Sequence, residues 1–298
     1  MKTLSRLAIL TLILTAATMA VAQVSLQTSP GTKTFQVILY GTTGACNNLT
    51  QGGPCTQTST LVQIDPTTGA LIKTIGPVGY TISGLAWDRW SGKLYASTAL
   101  GDTRFHGLIT IDTTTGAGTP VNGSVINYGL AIDPGTLGSP VHSITIDFFG
   151  NMVGWYDEFG PGVTDTFVRI NKATGVATEF QNTGINTNQN GVSFSDFNIL
   201  WNIDSPKTAV DGTVTQTAYL LNPFNGQPFF SRLLTPPIPA ALGDFSPTNN
   251  LYYGLNFTSF DPSGRTFLVT VSLLKGTVTT VGQTADFLHT LAFSKVHP

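Results

Sequence analysis

The segment Ser83-Gly-Leu-Ala-Trp-Asp88 decides the fold, because five versions of it recur along the chain. In every version the fifth residue is large and apolar, and the sixth is Asp or Ser. Asp and Ser open turns by hydrogen bonding to their own backbone, so each version predicts a buried strand that ends in a turn. The other versions occupy residues 142–147, 190–195, 241–246 and 289–294.

A second strand recurs with the same order, for example as Leu61-Val-Gln-Ile-Asp65. A glycine stands four residues after the last position of each copy, where it supplies the positive φ that closes a tight turn. The Asp residues of this repeat are therefore predicted to open hairpin turns and are not catalytic candidates. The remaining copies occupy residues 108–112, 167–171, 218–222 and 268–272.

A third strand follows the first in four of the five repeats, as in Lys93-Leu-Tyr-Ala-Ser97. Its fifth copy is displaced to the other end of the chain, at Val37-Ile-Leu-Tyr-Gly41, because the sequence ends at Pro298. We therefore expect residues 290–294 to pair with the strands at 35–42, 60–65 and 70–75, which closes a ring and removes its open edges.

This repeat resembles the blades of secreted β-propellers related to the YVTN and NHL-type repeats. The likeness rests on the segments 83–88 and 93–97 and extends over essentially the whole chain after residue 22. It implies an all-β fold with a single propeller domain at residues 23–298, built from five four-stranded blades. A degenerate sixth blade stays open as an alternative, because Tyr128-Gly-Leu-Ala-Ile-Asp133 is similar to the first strand.

Residues 1–22 have the pattern of a secretory signal peptide. Lys2 and Arg6 precede an apolar run from Leu7 to Met19, and Ala20-Val-Ala22 supplies the small-x-small cleavage site. The alternative, an uncleaved membrane anchor, is disfavoured because the apolar run is short for a span. We expect an extracellular or periplasmic protein with no membrane span after cleavage.

Composition and charge limit the classes of partner, and the cysteines predict a covalent link. Only 10% of the residues are charged and the formal net charge is −2, which gives no reason to expect a nucleic-acid partner. The two cysteines, Cys46 and Cys55, fall in one Gly- and Asn-rich stretch. In an oxidising compartment such a neighbouring pair is predicted to form a structural disulfide.

The two faces of the predicted propeller differ in their connections. If the strands are lettered A to D from the axis outwards, A–B and C–D turns share one face and are short. The B–C and D–A connections share the other, here called the loop face, and are long, which makes that face the predicted binding surface. The loop face also collects acids, eight against three basic residues: Asp102, Asp157, Glu158, Asp165, Asp204, Asp211, Asp261 and Asp286 against Arg104, Lys207 and Arg265.

Candidate site residues follow from the same alignment. Strand A begins at the loop face, so its first residues are predicted to lie at the mouth of the channel: Ser83, His142, Asn190, Ala241 and His289. His106 is expected in a loop on the same face. The binding candidates are His142, His289, Asn190, Ser83 and His106, with structural hydrogen bonding to neighbouring blades as the alternative. Oxygen-rich loops also suit Ca²⁺ or another divalent cation, although no EF-hand-like loop is present.

The catalytic candidates are Asp157, Glu158 and Asp244. Asp244 stands in a strand-A column otherwise filled by Ala86, Thr145, Ser193 and Ala292. It is predicted either to face a ligand or to accept hydrogen bonds from backbone N–H groups.

Three function classes remain open from the sequence. The favoured one is a secreted, non-enzymatic propeller that binds a glycan, a surface polymer or a cell-surface protein. A second is a propeller hydrolase, glycosidase-like or lactonase-like, with carboxylates near the channel mouth. Glycoside hydrolysis would need two suitably spaced carboxyl groups. A third is a structural component of an envelope or matrix.

Overall fold

Five antiparallel sheets of four strands succeed one another along the chain of this computed structural model. The described residues contain no α-helix, and accordingly no helix among them is long and apolar enough to cross a membrane. The structure describes residues 37–44, 58–99, 102, 107–121, 141–156, 163–187, 191–238, 242–257 and 264–294.

The first sheet joins the two ends of the described chain. Its strands, from the axis outwards, are β22 (Leu288–Phe293), β1 (Leu39–Thr43), β2 (Thr60–Ile64) and β3 (Leu71–Pro77). Strand β1 pairs with β22 from Leu39 opposite Phe293 to Thr42 opposite Thr290. The predicted closure is therefore confirmed.

The other four sheets are each built from consecutive stretches of chain. The second contains β4 (Ile82–Asp88), β5 (Lys93–Thr98), β6 (Leu108–Ile111) and β7 (Gly118–Pro120), and the third β8 (Ser143–Ile146), β9 (Met152–Tyr156), β10 (Thr166–Ile170) and β11 (Ala177–Asn182). The fourth contains β12 (Gly191–Phe194), β13 (Leu200–Ile203), β16 (Thr217–Leu221) and β17 (Pro228–Leu233), and the fifth β18 (Asp244–Phe245), β19 (Tyr252–Phe257), β20 (Thr266–Ser272) and β21 (Thr277–Gln283). We number these sheets blades 1 to 5.

The first-named strand of each blade contacts its counterparts in the two neighbouring blades, in the cyclic order β22, β4, β8, β12, β18 and back to β22. These are the predicted A strands, so five blades surround one axis and the fold is a five-bladed β-propeller. The possible sixth blade at 128–133, and the domain boundary at residues 22/23, lie outside the described residues.

Apolar side chains fill the seams between blades. One buried cluster occupies each of the five seams, and the large residue in the fifth column of strand A contributes at each seam. At the seam that closes the ring, the Tyr253 and Phe293 rings meet edge to face with centroids 5.2 Å apart. Such aromatic pairs add about 1 kcal/mol beyond the area they bury.

The C–D turns form as the repeat predicts. In blade 1, Asp65 accepts hydrogen bonds from the Thr67 backbone, and Gly69 closes the turn with φ of +80°. The turn hydroxyl and N–H groups of Thr67 hold the pKa of Asp65 below its ordinary value. Asp65 therefore serves the turn. Its carbonyl accepts a hydrogen bond from the Gly69 N–H, and the equivalent residues of the other blades accept the same bond from their glycines.

A small hairpin stands outside the repeat. Strands β14 (Lys207–Thr208) and β15 (Val214–Thr215) pair with each other in the B–C connection of blade 4, and all four of their residues are exposed. The hairpin therefore projects from the loop face.

Candidate functional site

The described residues of the channel-mouth column are buried. Ser83 donates to the carbonyls of Ser97 and Thr98 in its own blade, at 3.4 and 3.3 Å. His142 and His289 are each 8% exposed. Asn190, Ala241 and His106 lie outside the described residues. A binding role for this column stays a prediction, and Ser83 already has structural partners within its blade.

Burial controls the charge of the two histidines. Desolvation lowers the pKa of each to about 4, and for His142 the nearby His289 adds to the effect. A hydrogen bond with the Ile82 backbone raises the pKa of His289, but by less than desolvation lowers it. Both imidazoles are therefore neutral at pH 7, the form in which histidine binds metals. Within the described ranges, however, no three His, Cys, Asp or Glu side chains are grouped to hold a metal ion.

Asp244 holds the innermost strands of three blades together. Its Oδ1 accepts hydrogen bonds from the Ser193 hydroxyl, at 2.7 Å, and from the Phe245 N–H, at 2.8 Å. Its Oδ2 accepts from the Phe293 N–H at 2.9 Å. Thr145 has the equivalent place in blade 3, and its hydroxyl accepts from the Phe194 N–H at 3.1 Å. Of the two expectations for Asp244, the bond to backbone N–H groups is the one that the geometry provides.

Several loop-face acids are structural for the same reason. Asp102 and Asp165 are fully buried, and each accepts a hydrogen bond from a backbone N–H of a D–A connection, at Thr81 and Thr187 respectively, both at 2.6 Å. Asp204 is buried and forms an ion pair of 2.7 Å with Lys207. Buried, bonded carboxylates do not offer free oxygens to a ligand, so the acidity of this face is smaller than the sequence count indicates.

A repeated anchor fastens the D–A connections. The residue directly before strand C accepts a hydrogen bond from a backbone N–H about 22 residues later, and the acceptors are Ser59 from Ile82, Asp165 from Thr187 and Gln216 from Ile238. By sequence register His106 holds the corresponding position in blade 2. The loop face is thus built on connections that side chains tie to the blades beneath.

The remaining predicted residues fall outside what the structure describes. Asp157 and Glu158 belong to residues 157–162, and Cys46 and Cys55 to residues 45–57. Their catalytic and disulfide roles stay predictions, as does the signal peptide at 1–22.

The aromatic residues of strand B are core residues. Trp155 and Tyr252 have no exposed surface, and Trp201, Tyr253 and Tyr156 are also buried. The Trp155 indole donates to Asp165 and Thr187 inside the seam. These rings are not accessible for stacking on a ligand.

Exposed aromatic rings occur instead on the opposite face, in the A–B turns of blades 2 to 4. Trp90, Phe149 and Phe197 each stand two residues after the last column of strand A, and they are 51%, 73% and 66% exposed. We call these three residues the aromatic arc. The sequence carried a signal for it, since extending the strand-A alignment by two positions brings the three rings into one column.

Comparisons with known proteins bear on the fold alone. No family model matches the chain, and no curated protein sequence matches it. The resemblance to YVTN and NHL-type repeats therefore stays a prediction.

Three solved structures illustrate the level of likeness. An α-L-arabinofuranosidase from Clostridium thermocellum is 11% identical, with a TM-score of 0.49 over 87% of this chain and 88% of that one. The periplasmic gluconolactonase of Pseudomonas aeruginosa is 13% identical, with a TM-score of 0.43 over 88% and 86% of the two chains. Hydrazine synthase from Kuenenia stuttgartiensis is 13% identical with a TM-score of 0.39, and the alignment spans 74% of this chain and 59% of that chain.

Proposed function

We propose that this chain is a secreted, non-enzymatic propeller that binds a glycan, a surface polymer or a protein partner on its loop face. The observation that carries the proposal is the repeated anchor before strand C. Side chains at Ser59, Asp165 and Gln216 fix the D–A connections against the blades. Loops held in this way lose little conformational entropy when a partner binds.

The β14–β15 hairpin supplies an accessible part of that face. Lys207 joins it to its surroundings, because its ammonium group pairs with Asp204 and donates to the Asn186 carbonyl at 2.6 Å. Val210, in the turn between the two strands, is fully exposed. An apolar side chain kept at the tip of an ordered, charged hairpin is a suitable first contact for a partner.

The state of Asp244 supports binding over hydrolysis. A general acid or nucleophile must have an oxygen free to reach the substrate. Both oxygens of Asp244 accept hydrogen bonds from the frame of the propeller. Asp244, the catalytic candidate that the structure describes, is also only 8% exposed, so its carboxylate serves the frame of the propeller.

The test is a binding screen of the secreted full-length chain against a glycan panel, divalent cations and envelope extracts, followed by variants. Val210→Asp and Lys207→Ala should weaken binding of the selected partner at least ten-fold. Leu274→Asp is the matched control, because Leu274 is also an exposed apolar side chain, at 67%, but lies in a C–D turn on the other face.

Two outcomes would overturn the proposal. Turnover of an aryl glycoside or a sugar lactone that is lost in Glu158→Gln or Asp157→Asn would establish the hydrolase instead. Co-fractionation with the envelope, with no partner whose binding responds to Val210→Asp, would establish the structural component.

A further inference from the structure

The aromatic arc is a second surface, on the face that carries the short turns. Trp90, Phe149 and Phe197 hold equivalent positions in successive blades. Because A–B turns join the two strands nearest to the axis, the three rings border the channel on the turn face. Blade 5 has Thr248 at the same position. We propose that the arc binds an uncharged polysaccharide chain.

Contacts between blades hold the Trp90 ring and link the three turns. The Trp90 indole donates from Nε1 to the Phe148 carbonyl at 2.7 Å, and the Trp90 and Phe148 rings meet edge to face at 6.1 Å. The Phe148 N–H in turn donates to Asn198 Oδ1, in the turn of blade 4, at 2.7 Å. Asn198 has a φ of +59°, a conformation that costs energy for a residue with a side chain. The turns are therefore locked to one another with their aromatic rings exposed.

Both basic groups around the arc are paired with acids of the protein. Arg89 Nη2 lies 2.9 Å from Asp196 Oδ1, and the Arg89 guanidinium also covers the Phe148 ring at 4.9 Å. Lys172 Nζ lies 2.5 Å from Asp88 Oδ2. The carboxylate of Asp147, in the turn of blade 3, has no ion pair with the described residues and accepts hydrogen bonds from the Phe149 and Asn151 N–H groups. Together with Lys172, the three turns thus carry three acids (Asp88, Asp147 and Asp196) and two bases (Arg89 and Lys172). An acidic polymer would find no surplus positive charge, which favours a partner without charge.

The distribution of polar groups favours a carbohydrate over a protein. Arg89 and Asp196 are the sequence neighbours of Trp90 and Phe197, so an ion pair accompanies the rings. Cores of protein interfaces are depleted in charged residues. A pyranose ring, by contrast, presents an apolar C–H face for stacking and hydroxyl groups around its edge, which suits separated aromatic rings with carboxylate, guanidinium and amide groups beside them.

This inference goes beyond the proposed function, because it assigns a second surface and a ligand class. The test is affinity electrophoresis of the full-length chain in gels containing xylan, mannan or β-glucan, and, separately, alginate or polygalacturonate. The neutral polymers should retard the protein equally at low and high salt. Phe149→Ala and Phe197→Ala should each weaken that retardation at least ten-fold, whereas Phe149→Tyr should preserve it.

The matched control is Phe224→Ala, since Phe224 is 76% exposed on a C–D turn of the same face but lies outside the arc. This variant should bind the neutral polymers like the unmodified protein. Retardation by the acidic polymers only, retardation by none of the neutral polymers, or full binding by both Phe→Ala variants would overturn the inference. Thermal unfolding of every variant verifies that the propeller is intact.

Discussion

Single side chains on the innermost strands carry much of the stability of the ring. Asp244 accepts hydrogen bonds from residues of blades 4, 5 and 1, and Thr145 makes a related bond between blades 3 and 4. A buried donor that loses its acceptor costs about 1–3 kcal/mol. Replacing a carboxylate or hydroxyl in this column therefore lowers the free energy of unfolding, whether or not a ligand binds.

We expect Asp244→Ala to lower the free energy of unfolding by about 2–4 kcal/mol, because it leaves the Phe293 and Phe245 N–H groups and the Ser193 hydroxyl without an acceptor. Thr145→Val, which removes one acceptor while keeping the shape, should cost about 1 kcal/mol. Urea unfolding followed by tryptophan fluorescence measures both. An Asp244→Ala protein as stable as the original would show that the carboxylate does not hold the blades together.

The buried histidines make stability depend on pH. The pKa of His142 and His289 is about 4 in the folded protein, and the ordinary value is 6.5. Between these values the unfolded chain binds protons that the folded chain does not, so stability falls as pH is lowered from about 6.5 to about 4. Each histidine should contribute a loss of about 3 kcal/mol.

Urea unfolding at a series of pH values tests this expectation. His142→Gln and His289→Gln should each flatten the curve between about pH 6.5 and 4. Turn acids such as Asp65 and Asp112, whose pKa values lie below the ordinary 3.8, act only at lower pH and serve as an internal comparison. An identical slope in the variants and the unmodified protein would contradict the assignment.

Residue type alone could not reveal which acids are buried. Asp102 and Asp165 fall in segments that read as exposed loops, yet both are enclosed because the D–A backbone needs acceptors there. The strand-B aromatics are buried because their strand alternates between two packed seams. The arc was not predicted, because its residues lie in short A–B turns and the predicted binding surface was the face with the long connections.

At the scale of the element, the C–D turns hold neighbouring blades together. Gly116, in the turn of blade 2, lies against the backbone of Gly76 in strand β3 of blade 1, and Gly69 of blade 1 lies against Gly282 of blade 5. The Gly118 N–H also donates to the Val78 carbonyl at 2.9 Å. Glycine is therefore needed both for the positive φ and for the close approach of two chains.

The variants Gly116→Ala and Gly92→Ala separate the requirement for positive φ from the requirement for close approach. Both glycines have positive φ, +84° and +64°, but a Cβ at Gly116 would collide with the Gly76 carbonyl while one at Gly92 would meet nothing within 4 Å. Gly92→Ala should cost about 1 kcal/mol from backbone strain alone, and Gly116→Ala at least twice as much. Denaturant unfolding measures the loss of stability in each variant. Equal losses would mean that the contact between blades 1 and 2 adjusts to the added methyl group without cost.

The strands themselves were predictable because the repeat sets their register and turn residues. All five copies of the segment that first occurs at residues 61–65 lie on strand C of a blade. The β14–β15 hairpin was not predicted, because it belongs to one blade only and no second copy marks it. The repeat therefore predicts the strands that all blades share, whereas an element present in one blade only is revealed by the structure.

For the whole molecule, the pairing of β22 with β1 makes blade 1 depend on both ends of the described chain. A chain that ends at Phe287 lacks the innermost strand of blade 1 and the Phe293 side of the closing seam. We expect it to lose the cooperative thermal transition seen by calorimetry, and a peptide of residues 288–294 to restore the transition. A sharp transition without the peptide would show that the ring is stable when open.

The same closure sets an order of events during biosynthesis. The ribosome completes blades 2 to 5 from consecutive residues, but blade 1, whose B, C and D strands are made first, must wait for the last strand of the chain. Strands β1 to β3 thus spend the whole of translation without the neighbour that covers their inner edge. Ring closure is therefore a late event in folding, because blade 1 gains its inner strand only when residues 288–293 have been synthesised.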